Sequence, residues 1–125
     1  MIDKLRKRMA GDEGFTLIEL LVVIIIIGIL LAIAVPSYLG FKDRANKVAA
    51  QANVRAAIPS VEAYFADQNT YSGMTTANLK STYDAGFKAS VLSGAATTYC
   101  ITAKQGNFQY YKHGPSGNIT TTACT

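Results

Sequence analysis

Residues 14–36 read GFTLIELLVVIIIIGILLAIAVP, and this stretch decides how the rest of the chain is organised. From Leu20 to Val35 every residue is apolar or glycine. Along an α-helix, the distance from Phe15 to Pro36 is roughly 33 Å, which matches the ~30 Å hydrocarbon core of a bilayer. The stretch therefore predicts a membrane-spanning helix.

One charge, Glu19, interrupts the start of this apolar stretch. A carboxylate inside a bilayer costs about 2.5–3.5 kcal/mol on insertion scales, and such residues usually have a function. Thr16 and Glu19 also have the Thr-x-x-Glu spacing of a capping box. Glu19 therefore has two interpretations, a helix-start carboxylate and a functional acid inside the membrane.

The order of a basic leader, Gly14, Phe15 and a long apolar helix resembles the class III signal of type IV pilins and type II secretion pseudopilins. The resemblance implies that a membrane peptidase cuts between Gly14 and Phe15 and then N-methylates Phe15. It also implies that Glu19 meets the N-terminal amine of a neighbouring subunit during assembly, which would favour a subunit docked in register. Pro36 matches the helix-kinking proline of the family, because proline removes a backbone hydrogen-bond donor.

The same resemblance implies an α+β fold, in which a long N-terminal helix packs on a small antiparallel sheet of three or four strands. The expected organisation is a cleaved cytoplasmic leader at 1–14, a membrane and filament-core helix at 15–40, an amphipathic continuation at 41–68, a loop region at 69–96 and a β-meander with a disulfide at 97–125.

The leader does not have the layout of an ordinary secretory signal, in which the apolar region precedes a small-residue cleavage site. Here Gly14 precedes the apolar region, so the helix would remain after cutting. The charges alone do not set the orientation, since basic residues lie on both sides of the apolar stretch. We place the leader in the cytoplasm because of the Gly14–Phe15 junction and the distal cysteines.

Beyond Pro36 the apolar residues recur at helical spacing in two successive stripes. The first stripe is Phe41, Ala45, Val48 and Ala52, and the second is Val54, Ile58, Val61 and Phe65. The rotation between them allows two interpretations. Either the first stripe contacts neighbouring helices and the second contacts the sheet of the same subunit, or both belong to one irregular core face. The helix is expected to end at residues 67–69.

The last third of the chain is polar and then β-prone. A short helix is predicted at Thr76–Tyr83, and strands are predicted at Thr97–Ala103, Phe108–Lys112 and Ile119–Cys124, with a possible fourth strand near Val91. His113 falls in the predicted turn between the last two strands.

Cys100 and Cys124 are the only cysteines, and no further cysteine or histidine accompanies them at metal-ligand spacing. If this end of the chain lies outside the cytoplasm, a disulfide between them is the natural interpretation. It would stabilise the domain by roughly 3 kcal/mol on the chain-entropy argument.

The net charge of +4 is too small to indicate a nucleic-acid-binding surface. No nucleophile–base pair, phosphate-binding loop or calcium loop is visible, so we expect no enzymatic activity, no cofactor and no metal. The resemblance implies a structural subunit of a type IV pilus, used for adhesion, twitching motility or DNA uptake. The implied partners are copies of itself, the prepilin peptidase, the inner-membrane assembly machinery and the membrane, with DNA or surface contacts made through the filament.

The implied location is the cytoplasmic membrane for the precursor and a surface filament afterwards. The alternative is a type II secretion pseudopilin. The cysteine pair and the lack of acidic residues in 119–125 favour a pilin, because some major pseudopilins bind calcium in their C-terminal loops. A membrane-tethered binding module is a further alternative, although a lone anchor gains nothing from Glu19.

Overall fold

The computed structural model describes residues 14–124, so the predicted leader lies outside the described residues except for Gly14. The dominant element is one α-helix, α1, which extends over Leu17–Gln68. Its end follows from Asn69, which has a φ of 56° and whose backbone N–H donates to the carbonyl of Phe65 at 2.7 Å. A left-handed residue in this position closes a helix by satisfying one of its last carbonyls. The predicted end at residues 67–69 is confirmed.

The chain divides into two compact units, one that ends at Leu39 and one that begins at Gly40. The described part of the first unit is almost entirely helix α1. The second unit contains the rest of α1, a short helical segment and a sheet.

The helical segment that follows α1 consists of the helical turn α2, Thr76–Asn78, and a π-helical turn, Leu79–Tyr83. Thr75 caps α2, because its Oγ1 accepts a hydrogen bond from the backbone N–H of Asn78 at 3.2 Å. The predicted helix at Thr76–Tyr83 is therefore confirmed in its bounds. Its second part has the wider π-helical hydrogen-bonding pattern, which the sequence did not indicate.

Four antiparallel strands form one sheet in the order β1-β2-β3-β4. Their bounds are Ser90–Gly94, Tyr99–Gln105, Phe108–Gly114 and Ile119–Thr120. In the central pair Ile101 lies opposite Lys112, and Tyr99 lies opposite Gly114. The antiparallel sheet of three or four strands is thus confirmed, and so is the α+β fold.

The possible fourth strand near Val91 is confirmed, because β1 occupies part of the region 69–96 and pairs with β2 around a bulge between Val91 and Ser93. Two other details of the predicted sheet are wrong. The last strand stops at Thr120 and does not reach Cys124. The third strand continues to Gly114, so His113 is a strand residue with an exposed side chain and not a turn residue.

The core lies between α1 and the sheet within the second unit. Ala50, Val54, Ala57 and Val61 form the buried face of the helix, and Val54 and Val61 have no exposed surface. They belong to one apolar cluster with buried residues of β2 and β3, which are Tyr99, Ile101, Ala103 and Tyr110. Because the side chains of Ala50 and Ala57 are small, the large side chains of the strands have room to pack against the helix.

The turn between β2 and β3 lies close against α1. Gly106 has a φ of +59°, and a Cβ at this position would lie 2.6 Å from Nδ2 of Asn46. Glycine is therefore required at position 106 for two reasons, its backbone conformation and the close approach of the helix. Near the same turn, Nζ of Lys47 lies 5.9 Å from the centre of the Phe108 ring.

Candidate functional site

The first turn of α1 is closed by a reciprocal pair of hydrogen bonds. The backbone N–H of Thr16 donates to Oε2 of Glu19 at 3.2 Å, and the N–H of Glu19 donates to Oγ1 of Thr16 at 3.3 Å. This is the capping box that the spacing of the two residues predicted. The carboxylate also lies at the positive end of the helix dipole. The structure therefore contains the capping contact of Glu19, while the role of Glu19 in assembly stays a prediction.

The junction between Gly14 and Phe15 lies outside regular structure. Residues 14–16 precede the first residue of α1, and all three are exposed. Phe15 has 91% of its surface exposed. The junction is therefore accessible at the surface of the single chain, and cleavage there stays a prediction.

The apolar part of α1 is exposed on all sides. Every large apolar side chain from Leu17 to Val35 has about half or more of its surface exposed, and Leu17 reaches 88%. The most apolar 18-residue window has a mean hydropathy of 3.3, and none of it is buried within the chain. Exposure of an apolar surface of this length to water is energetically unfavourable, so lipid or other helices must cover it. Its length and composition are those of a membrane-spanning helix.

Helix α1 includes Pro36 and continues without interruption to Gln68. Pro59 is also accommodated within the same helix. Because each proline lacks an N–H, one hydrogen bond of the helix is missing at each position. The kink at Pro36 stays a prediction.

The two apolar stripes beyond Pro36 have opposite environments. In the first stripe Phe41 is 71% exposed and Val48 is 64% exposed, and the two alanines are exposed as well. In the second stripe Val54 and Val61 are fully buried, and Ile58 and Phe65 pack against the same core. At about 100° per residue, the two stripes point roughly 140° apart around the helix. The interpretation of a single irregular core face is therefore wrong, since the first stripe does not contact the sheet.

The cysteine pair forms a disulfide between Cys100 and Cys124, with the two Cα atoms 6.1 Å apart. Cys100 lies on β2 and is buried, whereas Cys124 follows the short strand β4. The bond joins the end of the described chain to a central strand. This confirms the predicted pairing.

Two tyrosines, Tyr71 and Tyr83, make polar contacts with acidic residues. The hydroxyl of Tyr71 donates to the carboxylate of Glu62 at 3.2 Å, and that of Tyr83 donates to Oδ2 of Asp67 at 2.8 Å. Burial, followed by the nearby Glu62, raises the pKa of Tyr71. The hydrogen bond to Asp67 is the main cause that raises the pKa of Tyr83. No sequence pattern joins these residues, because the pairs are 9 and 16 positions apart.

Tyr99 is the one buried side chain whose polar atom lacks a hydrogen-bond partner within residues 14–124. Burial, with a smaller contribution from Glu62, raises the pKa of Tyr99 to about 12. Its ring packs against Gly114, where a Cβ would overlap with it.

The sequence also did not indicate that Lys112 is buried. Its side chain is 8% exposed, and its Nζ donates to the carbonyls of Pro115 and Gly117.

Comparison with known proteins identifies the apolar helix as the signature of a family. A family profile described as "Prokaryotic N-terminal methylation motif" matches residues 9–35. The chain is 40% identical over 99 residues to the type IV wide pilus major component PilA4 of Thermus thermophilus, which covers 76% of this chain and 75% of that protein.

Two further relatives match over shorter stretches. The type IV major pilin protein PilA of Myxococcus xanthus is 41% identical over 61 residues, which are 49% of this chain and 28% of that protein. The type II secretion system core protein G of Vibrio cholerae is 37% identical over 65 residues, or 52% of this chain and 44% of that protein.

The extent of the first match, the methylation motif and the helix-on-sheet fold lead to the same conclusion. The chain is a member of the type IV pilin and pseudopilin superfamily.

Proposed function

We propose that this protein is a structural subunit of a type IV pilus, which polymerises through the apolar half of α1. The observation that carries the proposal is the surface from Leu17 to Val35, which is exposed on all sides of the helix in the single chain. A membrane covers such a surface before assembly, and the same surfaces of other subunits cover it in a filament. Relatives named as major pilins, which include the protein with 75% coverage, support this choice.

The processing step follows from the exposed junction at the start of the helix. The prepilin peptidase cuts between Gly14 and Phe15 and methylates the new amine of Phe15. The match of the methylation motif to residues 9–35 includes this junction and supports the assignment. The cut removes the basic leader and retains the complete helix.

Glu19 then has two successive roles. In the single chain its carboxylate closes the first turn with Thr16. In the filament it meets the N-terminal ammonium of a neighbouring copy, because an isolated acid among apolar helices is costly and a paired acid is not. The ion pair selects the register of the subunits, while the apolar surface supplies most of the adhesion.

Helix association in lipid lacks the driving force that apolar burial has in water, since lipid tails are as apolar as isoleucine. Extraction of the subunit therefore requires the inner-membrane assembly machinery. The precursor is a single-pass protein of the cytoplasmic membrane, and the product is an extracellular filament. Adhesion, twitching motility and DNA uptake are then properties of the filament and its motors, and the chain itself has no enzymatic role.

The second candidate is a major pseudopilin of a type II secretion system, which the 37% identity to core protein G favours. The two candidates differ in where the polymer is found. Filaments sheared from cells that produce this protein are imaged by electron microscopy, and their subunit is identified by mass spectrometry. We expect surface filaments whose subunit begins at a methylated Phe15. A strain that lacks this chain, has unchanged surface filaments and fails to secrete proteins would identify a pseudopilin instead.

A further inference from the structure

Three exposed residues follow the apolar run at the beginning of the second unit. Phe41 is 71% exposed, and Lys42 and Arg44 are exposed as well. The structure pairs neither cation with a carboxylate within residues 14–124. An exposed aromatic ring next to unpaired cations is the combination found where membrane helices leave the hydrocarbon core.

The directions of these side chains place them on one broad face of the helix. Lys42 and Arg44 are two positions apart, so they point about 160° apart around the axis of the helix. Phe41 lies between them on the shorter arc, about 60° from Arg44 and about 100° from Lys42. The three side chains therefore share one face directly after the apolar run, and we call Phe41, Lys42 and Arg44 the belt residues.

The third cation of this segment is engaged within its own subunit. Nζ of Lys47 lies over the ring of Phe108, which belongs to the sheet. Asp43 lies four residues before Lys47, the spacing at which opposite charges on a helix attract each other. Lys42 and Arg44 are thus the cations that this segment leaves available to an external ligand.

The distance of the cations from the apolar run suits a headgroup layer. Lys42 is six residues beyond Pro36 and Arg44 is eight, which correspond to about 9 and about 12 Å of helix. Helical side chains lean towards the N-terminus of their helix, and lysine and arginine have long flexible stems. Both charged groups therefore extend back towards the apolar run, into a headgroup layer of roughly 5–7 Å.

We propose that the belt residues bind the phosphate groups of anionic lipids in the leaflet that faces the sheet-containing unit, and so hold the subunit at a set depth before assembly. The inference relies on the proposed membrane insertion of α1. Extraction into a filament then breaks these lipid contacts in addition to removing the apolar helix from lipid. Acidic side chains of a second copy are the competing partner.

The test uses the complete chain in lipid bilayers, with a tryptophan introduced by Phe41→Trp. The natural chain contains no tryptophan, so the substitution provides a single fluorescent reporter within the belt. The bilayers contain equal parts of phosphatidylcholine and phosphatidylglycerol, with acyl-chain bromines on one lipid or on the other. Bromine quenches tryptophan on contact, so the ratio of the two quenching values reports which lipid surrounds residue 41.

We expect phosphatidylglycerol to quench about twofold more strongly than phosphatidylcholine, and we expect high salt to abolish the difference. Lys42→Gln with Arg44→Gln should bring the ratio to one. The matched control, Lys80→Gln with Lys88→Gln, removes two exposed cations elsewhere in the second unit and should leave the ratio unchanged.

A ratio of one in the parent, or equal effects of the two double variants, would overturn the proposal. Retained lipid preference in Lys42→Gln with Arg44→Gln, together with a loss of filaments, would assign the cations to a second copy instead. Filament yield is measured separately in cells. A chain that forms no filaments but still prefers phosphatidylglycerol would contradict the pilus assignment and leave the belt intact.

Discussion

Thr16 and Glu19 each accept a hydrogen bond from the backbone N–H of the other, at 3.3 and 3.2 Å, so the acid of the apolar helix already has a partner in the single chain. A capping box stabilises a helix start by satisfying two backbone donors that the helix leaves free. This relationship allows the capping role of Glu19 to be separated from its proposed role between subunits.

Glu19→Gln should greatly reduce filament yield, because glutamine retains a hydrogen-bond acceptor for the cap and loses the charge. Thr16→Ala is the matched variant, since it removes the cap and keeps the carboxylate. It should cost about 1 kcal/mol of helix stability and leave most of the filament yield. Yield is measured by shearing and quantifying surface filaments. Equal losses in the two variants would show that Glu19 acts only as a cap.

Gly14→Ala should block processing, because the Cβ of alanine obstructs the backbone next to the bond that the peptidase cuts. Mass spectrometry of the membrane fraction should find the uncut precursor. The contacts within the chain do not explain such an effect, since a Cβ at residue 14 would meet no described atom within 4 Å. A normally cut and methylated Phe15 in this variant would contradict the cleavage site.

Val48 and Val54 provide a matched pair on one helix, with 64% and 0% of their surfaces exposed. Val54→Ala should destabilise the sheet-containing unit by about 2 kcal/mol, because it removes two methyl groups from a packed core. Val48→Ala should leave the melting temperature unchanged and lower filament yield, since its side chain is available only to other subunits. Thermal unfolding in detergent and filament yield provide the two measurements.

Loss of the Cys100–Cys124 disulfide should lower the melting temperature of the protein under oxidising conditions. The bond closes a loop with a sequence separation of 24, for which chain entropy predicts about 3 kcal/mol. Cys100→Ser is compared with Cys124→Ser, and the expected loss is similar because both variants open the same loop. An unchanged melting temperature in both would contradict a stabilising bond.

Tyr99 should make the fold sensitive to alkali. Its pKa is raised to about 12 in the folded state by burial, against 10.0 for an ordinary tyrosine, so the unfolded chain loses the proton first. The stability due to neutral Tyr99 is complete below pH 10 and is lost as the pH rises towards 12. Tyr99→Phe should reduce this loss. At pH 7 it should keep or increase stability, because the buried hydroxyl has no partner within the described residues. Denaturant unfolding of the parent and of Tyr99→Phe, at pH 7 and as the pH rises towards 12, tests this.

The order of residues along the chain was sufficient to predict α1, its end near Gln68 and the Thr16–Glu19 cap. These features depend on contacts between residues at most a few positions apart, and on hydropathy, which a sequence displays directly. The disulfide could also be anticipated, because the chain contains only one pair of cysteines.

Only the tertiary structure decided which apolar stripe of α1 is covered. The stripes that begin at Phe41 and Val54 both consist of apolar residues at the same spacing, and the sheet covers only the second. The contacts of Tyr71 with Glu62 and of Tyr83 with Asp67, and the buried amine of Lys112, were likewise invisible in the sequence. The physical reason is that burial and pairing depend on which distant segments share a surface. Periodicity shows that a helix has an apolar face, but it does not show what covers that face.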